Sequence, residues 1–193
     1  MTGGGPAERS ALIDEPLVWN VSGLLAEDPG AVRDYAVEGV TIDLGDDLHL
    51  ASPIDGRVHL ARTNRGLLVG ADFSTSLAME CVRCLREIEV PITVEIEEEA
   101  LPTIDFHTGQ PVEIAAADDD EPIRLSDHHE LDLEQTVREA IQLAEPIAPL
   151  DREDCPGLCV VCGLPLDEGA HVHPEDDIDP RLEALRAFTP DES

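Results

Sequence analysis

Between Leu67 and Cys81 apolar and polar residues alternate along the chain. Leu67, Val69, Ala71, Phe73, Leu77, Met79 and Cys81 fall on one face, broken only by Thr75, while Gly70, Asp72, Ser74, Ser76 and Glu80 fall mainly on the other. The alternation resumes as Ile88, Val90, Ile92, Val94 and Ile96 against Glu87, Glu89, Thr93, Glu95 and Glu97. An extended chain points successive side chains to opposite faces, so each run predicts a half-buried strand and the two together an antiparallel hairpin. Cys81-Val82-Arg83-Cys84 lies near its tip. Pro91, on the polar face, has no N–H for a ladder and predicts an edge position for its strand.

Upstream, residues 1–16 read as a flexible leader and Leu17 to Leu25 as a short element ended by the turn signal Asp28-Pro29-Gly30. Val40, Ile42 and Leu44 alternate with Thr41, Asp43 and Gly45 as a strand does. Leu48 and Leu50 follow, and Ser52-Pro53-Ile54-Asp55-Gly56 predicts a break before Val58 and Leu60. From 103 to 130 the periodicity is lost and acid accumulates at Asp118-Asp119-Asp120-Glu121, predicting a solvated acidic loop. Asp132 reads as a helix cap with Gln135 as its reciprocal partner, ahead of an apolar stripe of Leu133, Val137, Ala140, Ile141 and Ala144. Pro146 and Pro149 stop that helix, and Asp179-Pro180 opens another carrying Leu182, Leu185 and Phe188. The expected class is α+β, a mainly antiparallel sheet with a metal-stapled hairpin and C-terminal helices. One domain over 17–188 is expected, with a tail at 189–193.

Composition narrows the partners. The chain has 193 residues, 43 acidic against 12 basic, for a formal charge of −31, and every basic residue is arginine. Phosphate backbones and anionic membranes both need a cationic surface, so neither is a favoured general target. Trp19, Tyr35, Phe73, Phe106 and Phe188 are the only aromatic residues, and a core so thin in aromatics calls for a staple. Met1 to Ser10 is Gly-rich without an apolar run, and no stretch approaches a membrane-spanning length. The chain is expected to be cytoplasmic.

In a reducing compartment, five cysteines grouped as Cys81-x2-Cys84 and Cys155-x3-Cys159-x2-Cys162 point to metal rather than disulfides. Pairs of thiolates two residues apart grip zinc from a tight turn, and two such turns complete a tetrahedron. A dithiol redox site expects its Cys-x2-Cys at the start of a helix, whereas this first pair lies between strands. Two partitions remain open. In one, Cys159, Cys162, His171 and His173 hold one zinc, and Cys81, Cys84 and Cys155 hold another, with Asp151 as a candidate oxygen ligand. In the other, Cys81, Cys84, Cys159 and Cys162 form a single all-thiolate site. Either one tethers the hairpin to the C-terminal segment at about 151–173, and metal binding then adds to folding stability. Glu80, Glu87 and Glu153 lie near the cysteines, but no Ser-His-Asp or phosphate-loop signature appears, so the sequence does not support an enzyme.

Several motifs together resemble the YceD-like family of bacterial proteins, the large ribosomal RNA subunit accumulation proteins. They are Glu80-Cys81-Val82-Arg83-Cys84-Leu85, the run from Glu153 through Cys155-Pro156-Gly157-Leu158-Cys159 to Cys162-Gly163, the terminal Asp179-Pro180-Arg181-Leu182-Glu183-Ala184-Leu185, and the early turn Asp28-Pro29-Gly30. The resemblance covers roughly Leu17 to Phe188. Zinc-type members have a cysteine where Asp151 stands and Cys-x-Cys where His171 and His173 stand. Imidazole is a good replacement ligand and a lone carboxylate a weaker one. The resemblance implies a role in 23S ribosomal RNA accumulation and large-subunit biogenesis. It and the charge together point to a partner in the large-subunit precursor or a basic ribosomal protein, large-subunit protein thirty-two among them. The acidic runs at Glu95–Glu99 and Asp118–Glu121 are candidate contacts, although solubility alone also accounts for such runs. The alternative is direct 23S ribosomal RNA contact through Arg83 and Arg86, with Arg57, Arg62 and Arg65 nearby.

Overall fold

The computed structural model describes residues 16–105, 108–112 and 122–167. In chain order its elements are β1 (Val18–Asn20), α1 (Ser22–Leu25), β2 (Val32–Val40), β3 (His49–Arg62), β4 (Leu67–Glu80), β5 (Glu87–Leu101), β6 (Ile123–Arg124), β7 (Glu130–Asp132) and α2 (Glu134–Leu143). Strands β2-β3-β4-β5-β6 form a five-stranded sheet in that order. Its first four strands are an antiparallel meander, and β6 adds in parallel at Ala100 and Leu101. β1 and β7 pair separately, antiparallel. Trp19 of β1 meets Tyr35 of β2 with ring centroids 5.7 Å apart, which links the small sheet to the large one. The class is α+β, as the periodicity predicts.

The β4–β5 hairpin runs in unbroken register from Leu67↔Ala100 to Glu80↔Glu87. One face is buried as the pattern requires: Leu67, Val69, Ala71, Phe73, Leu77, Ile92, Val94 and Ile96 all lie in the core. Thr75, the one polar residue in that row, is also buried; its hydroxyl donates to the Ser52 carbonyl at 2.7 Å, so its oxygen is not buried without a partner. Pro91 faces Ser76 on β4, while β5 meets β6 only at Ala100 and Leu101, leaving Pro91 on an open edge among the described residues. The α2 stripe closes the core through Leu133, Val137 and Ile141, with Ala140 and Ala144 packed against it.

Four expectations need correction. Val40, Ile42 and Leu44 are not one strand: β2 ends at Val40, after a register shift that begins at Val37. The 41–45 segment instead gives its carbonyls to side chains of α2. Arg138 Nε donates to Asp43 O at 2.7 Å and Gln142 Nε2 to Leu44 O at 2.9 Å, and Leu44 still reaches the core. Pro53 does not break β3. Two register irregularities between Leu50 and Asp55 absorb it, and the Ser52 hydroxyl takes the Ser76 N–H at 2.9 Å in place of a ladder bond.

The 103–130 region is more than a solvated loop, since it contributes β6, the start of β7 and the buried Leu125. Its run Asp118 to Glu121 lies outside the described residues. Asp132 is the last residue of β7; its Oδ1 accepts the Glu134 N–H at 2.9 Å, one position ahead of the cap residue Leu133. Gln135 turns to Glu139 and Arg138 instead of closing a reciprocal box. Residues 1–15 of the expected leader at 1–16, the helix expected after Asp179-Pro180 and the tail also lie outside the described residues. Among the described residues no helix is long and apolar enough to cross a membrane.

Candidate metal centre

At the hairpin tip the chain reverses within the six residues between Glu80 and Glu87. The Cys81 N–H donates to Arg86 O at 2.9 Å and the Leu85 N–H to Cys81 O at 2.9 Å, with Leu85 held at φ +57°. The second Cys-x2-Cys makes the same turn. The Cys159 N–H donates to Leu164 O at 2.8 Å and the Gly163 N–H to Cys159 O at 2.8 Å, with Gly163 at φ +72°. Glycine adopts that left-handed conformation freely, whereas Leu85 is strained there unless the turn is held from outside.

The holding segment is 149–157. The Val82 N–H donates to Pro149 O at 3.0 Å, and Arg83 Nη1 reaches Cys155 O at 3.0 Å. Gly157, at φ +81°, lies so close that an added Cβ would sit 3.2 Å from Arg83 O. This strap carries Cys155 over the first turn. The sulfurs of Cys81, Cys84 and Cys155 all lie within 4.8 Å of one another, and all three residues are buried. Cys81 Sγ is 3.8 Å from Cys155 Sγ and all five cysteines are free thiols, so no disulfide joins them. Tetrahedral zinc with bonds of about 2.3 Å holds its sulfurs about 3.8 Å apart.

The polar surroundings favour thiolate at the centre of this cluster. The backbone N–H of Asp151, and behind it those of Cys84 and Arg83, hold the Cys81 thiol at about 6 against the opposing effect of burial. The Arg86 N–H pulls Cys84 the same way, but burial and the neighbouring sulfurs of Cys81 and Cys155 outweigh it and raise that thiol. Three thiols crowded without a cation cannot all ionise. A divalent cation among them removes that conflict, and the donor set therefore fits a thiophilic metal.

The sequence-predicted residues sort as follows. Cys81, Cys84 and Cys155 come together. Cys159 is buried and Cys162 exposed, and neither belongs to that group; the Val161 N–H donates to Cys159 Sγ at 3.4 Å. Asp151 serves the cluster through its backbone. Its carboxylate lies 3.4 Å from Arg152 and 3.7 Å from Arg86. His171 and His173 lie outside the described residues.

The five arginines proposed as a cationic patch all have partners within the protein. Arg57 pairs with Asp72 and Arg65 with Glu99, while Arg62 donates to the carbonyls of Leu25, Thr63 and Gly66. Arg83 spends a donor on Cys155, and Arg86 holds Asp167. Asp167 is the residue that sequence reasoning missed. Among so many acids nothing marks it out except its place at the end of the cysteine segment.

Residues 69–189 match the family described as large ribosomal RNA subunit accumulation protein YceD, a span that includes the hairpin from Val69 onward and both cysteine clusters. The uncharacterized protein Rv2926c of Mycobacterium tuberculosis is 35% identical over 134 residues, 68% of this chain and 60% of that protein. Mb2951c of Mycobacterium bovis matches to the same extent. ML1660 of Mycobacterium leprae is 30% identical over 177 residues, 86% of this chain and 74% of that protein. The aligned part thus spans 60% of the length of the first two relatives. No solved structure matches the chain.

Proposed function

The chain belongs to the YceD family of large ribosomal RNA subunit accumulation proteins, and on that premise we propose that it is a non-enzymatic cytoplasmic factor in large-subunit biogenesis, built around structural zinc. The observation that carries the zinc is the buried trio Cys81, Cys84 and Cys155, brought together from a hairpin tip and a distant strap. Bound there, zinc neutralises the crowded sulfurs and pins the strap to the turn. In the two-ion partition that this trio favours, Cys159, Cys162, His171 and His173 hold a second zinc.

The partner is a basic ribosomal protein or the precursor particle that displays one. A net charge of −31 repels bare RNA and attracts such a protein over long range. The internal commitments of Arg83 and Arg86 support this reading over direct RNA contact.

A low-salt sucrose gradient of lysate carrying the tagged full chain tests the reading. Co-migration with large-subunit precursors is expected. A chain that stays at the top of the gradient and captures no basic protein in a pull-down overturns it.

A further inference from the structure

Cys81, Cys84 and Cys155 offer a metal ion three sulfurs, whereas structural zinc ordinarily takes four ligands from its protein. Acids that could supply the fourth are close in sequence. Glu80, Glu87, Asp151, Glu153 and Asp154 all lie within a turn or so of one of these cysteines. Yet among the described residues no carboxylate or imidazole joins the three sulfurs within 4.8 Å.

Asp151 shows why. Its backbone N–H supports the Cys81 sulfur, but its carboxylate turns to the arginines. Oδ2 lies 3.4 Å from Arg152 Nη1 and 3.7 Å from Arg86 Nη1. The same two guanidiniums hold Asp167, so Asp151, Asp167, Arg86 and Arg152 form one network of two anions and two cations. Drawing the Asp151 carboxylate onto the metal would break two contacts and leave both guanidiniums on Asp167 alone. Cys159 and Cys162 do not fill the position either. They sit on their own turn, where the Val161 N–H donates to Cys159 Sγ at 3.4 Å, and neither joins the trio.

Charge balance points the same way. Three thiolates on a divalent cation leave one negative charge, and Arg83, with Nη1 3.0 Å from the Cys155 carbonyl, stands beside them. A carboxylate as fourth ligand would double that charge in a site whose three cysteines are buried. A neutral donor adds none.

We propose that this chain gives the first ion three sulfur ligands and leaves its fourth position to a small, neutral, exchangeable donor, with Asp151 acting through its backbone N–H and its ion pairs instead of as a ligand. The inference rests on the structural-zinc reading and completes the description of its first site.

The test uses the full-length protein with its zinc exchanged for cobalt, whose visible absorption reports the donors around the ion. Asp151→Asn keeps the backbone N–H and removes the anionic oxygen. It is expected to leave the cobalt spectrum unchanged and to hold zinc within about threefold of the native affinity, measured by competition with a chelator; loss of a ligand costs about tenfold or more. Imidazole, a neutral donor suited to both metals, is expected to shift the cobalt bands of the native chain and of Asp151→Asn. The shift saturates and reverses when imidazole is removed. Cys162→Ser, altered at the exposed thiol of the other turn, is expected to keep the response, which assigns it to the trio. Thermal melts show that each variant is folded.

A changed cobalt spectrum or a tenfold weaker hold on zinc in Asp151→Asn would make Asp151 a ligand and overturn the proposal. Bands that imidazole leaves unmoved would show a fourth position already filled by the chain, and a response lost in Cys162→Ser would belong to a different ion; either result also overturns it. A native chain that takes up neither zinc nor cobalt would overturn the structural-zinc reading itself.

Discussion

Arg86 and Asp167 form a two-pronged ion pair across the two cysteine segments, with Nη1 2.8 Å from Oδ2 and Nη2 2.7 Å from Oδ1. Arg152 Nη1 adds a further contact to Oδ2 at 3.0 Å. Parallel donors on a planar guanidinium match a carboxylate better than any single contact does. The pair ties the hairpin turn to the end of the cysteine segment without using a thiol, so the hairpin and that segment are held by two independent devices.

Replacing Arg86 with Ala removes one of those devices and leaves the cysteines in place. The variant is expected to retain bound zinc but to melt at a lower temperature, and to be cut faster by protease within 149–167. Zinc lost along with the arginine, measured by metal analysis of the purified variant, would mean the two devices are one.

Protonation acts on the same pair. Donation from Arg86, and then from Arg152, holds the Asp167 carboxyl at about 2, against a smaller opposing effect of its partial burial. Its folded value is thus depressed below the ordinary 3.8. Such a group contributes stability that is present above about pH 4 and lost as pH falls towards 2. Acid unfolding of an Asp167→Asn variant is expected to be flatter across that window than that of the native chain. Parallel acid curves for the two would refute the assignment.

The thiol centre has its own signature. Cys81→Ser is expected to lower bound zinc by one ion per chain and to lower the melting temperature. A chelator is expected to destabilise the native chain and to have less effect on the variant. Unchanged zinc and stability in Cys81→Ser would remove the structural role of the metal.

Core packing gives a calibration away from the metal. Ile141 is fully buried on α2, while Leu143, two residues on, is 88% exposed. Ile141→Ala is expected to cost about 2–5 kcal/mol in denaturant unfolding, and Leu143→Ala close to nothing. A Cβ on Gly56 would collide with Asp72 O and stand 2.6 Å from Phe73 Cδ1, so Gly56→Ala is expected to cost about 1–3 kcal/mol. Gly56→Ala matching the native midpoint would show that β3 and β4 can part more easily than their register implies.

The β4–β5 hairpin was legible because a period of two maps directly onto a two-faced strand, and the α2 stripe because Leu133, Val137 and Ile141 recur at helical spacing. The segment at Val40, Ile42 and Leu44 carries the same alternation but not the same structure. Whether a strand forms there depends on a neighbour for its backbone, and the Arg138 and Gln142 side chains arrive first. Pro53 misleads for the converse reason, since Ser52 and Thr75 repair the ladder across it. At the site, spacing marked the cysteines as a candidate metal set but left two partitions open. Choosing Cys155 as the third thiol depends on Gly157 and Arg83 bringing the strap onto the turn, a contact between residues more than seventy positions apart that no local pattern encodes. Asp167 was illegible for the same reason.

The most direct test of the central claim is the ratio of 23S to 16S ribosomal RNA in cells depleted of this protein and complemented with either the native chain or Cys81→Ser. The account predicts that depletion lowers the ratio, that the native chain restores it, and that Cys81→Ser restores it poorly. A ratio unchanged by depletion would contradict the proposed role in large-subunit biogenesis.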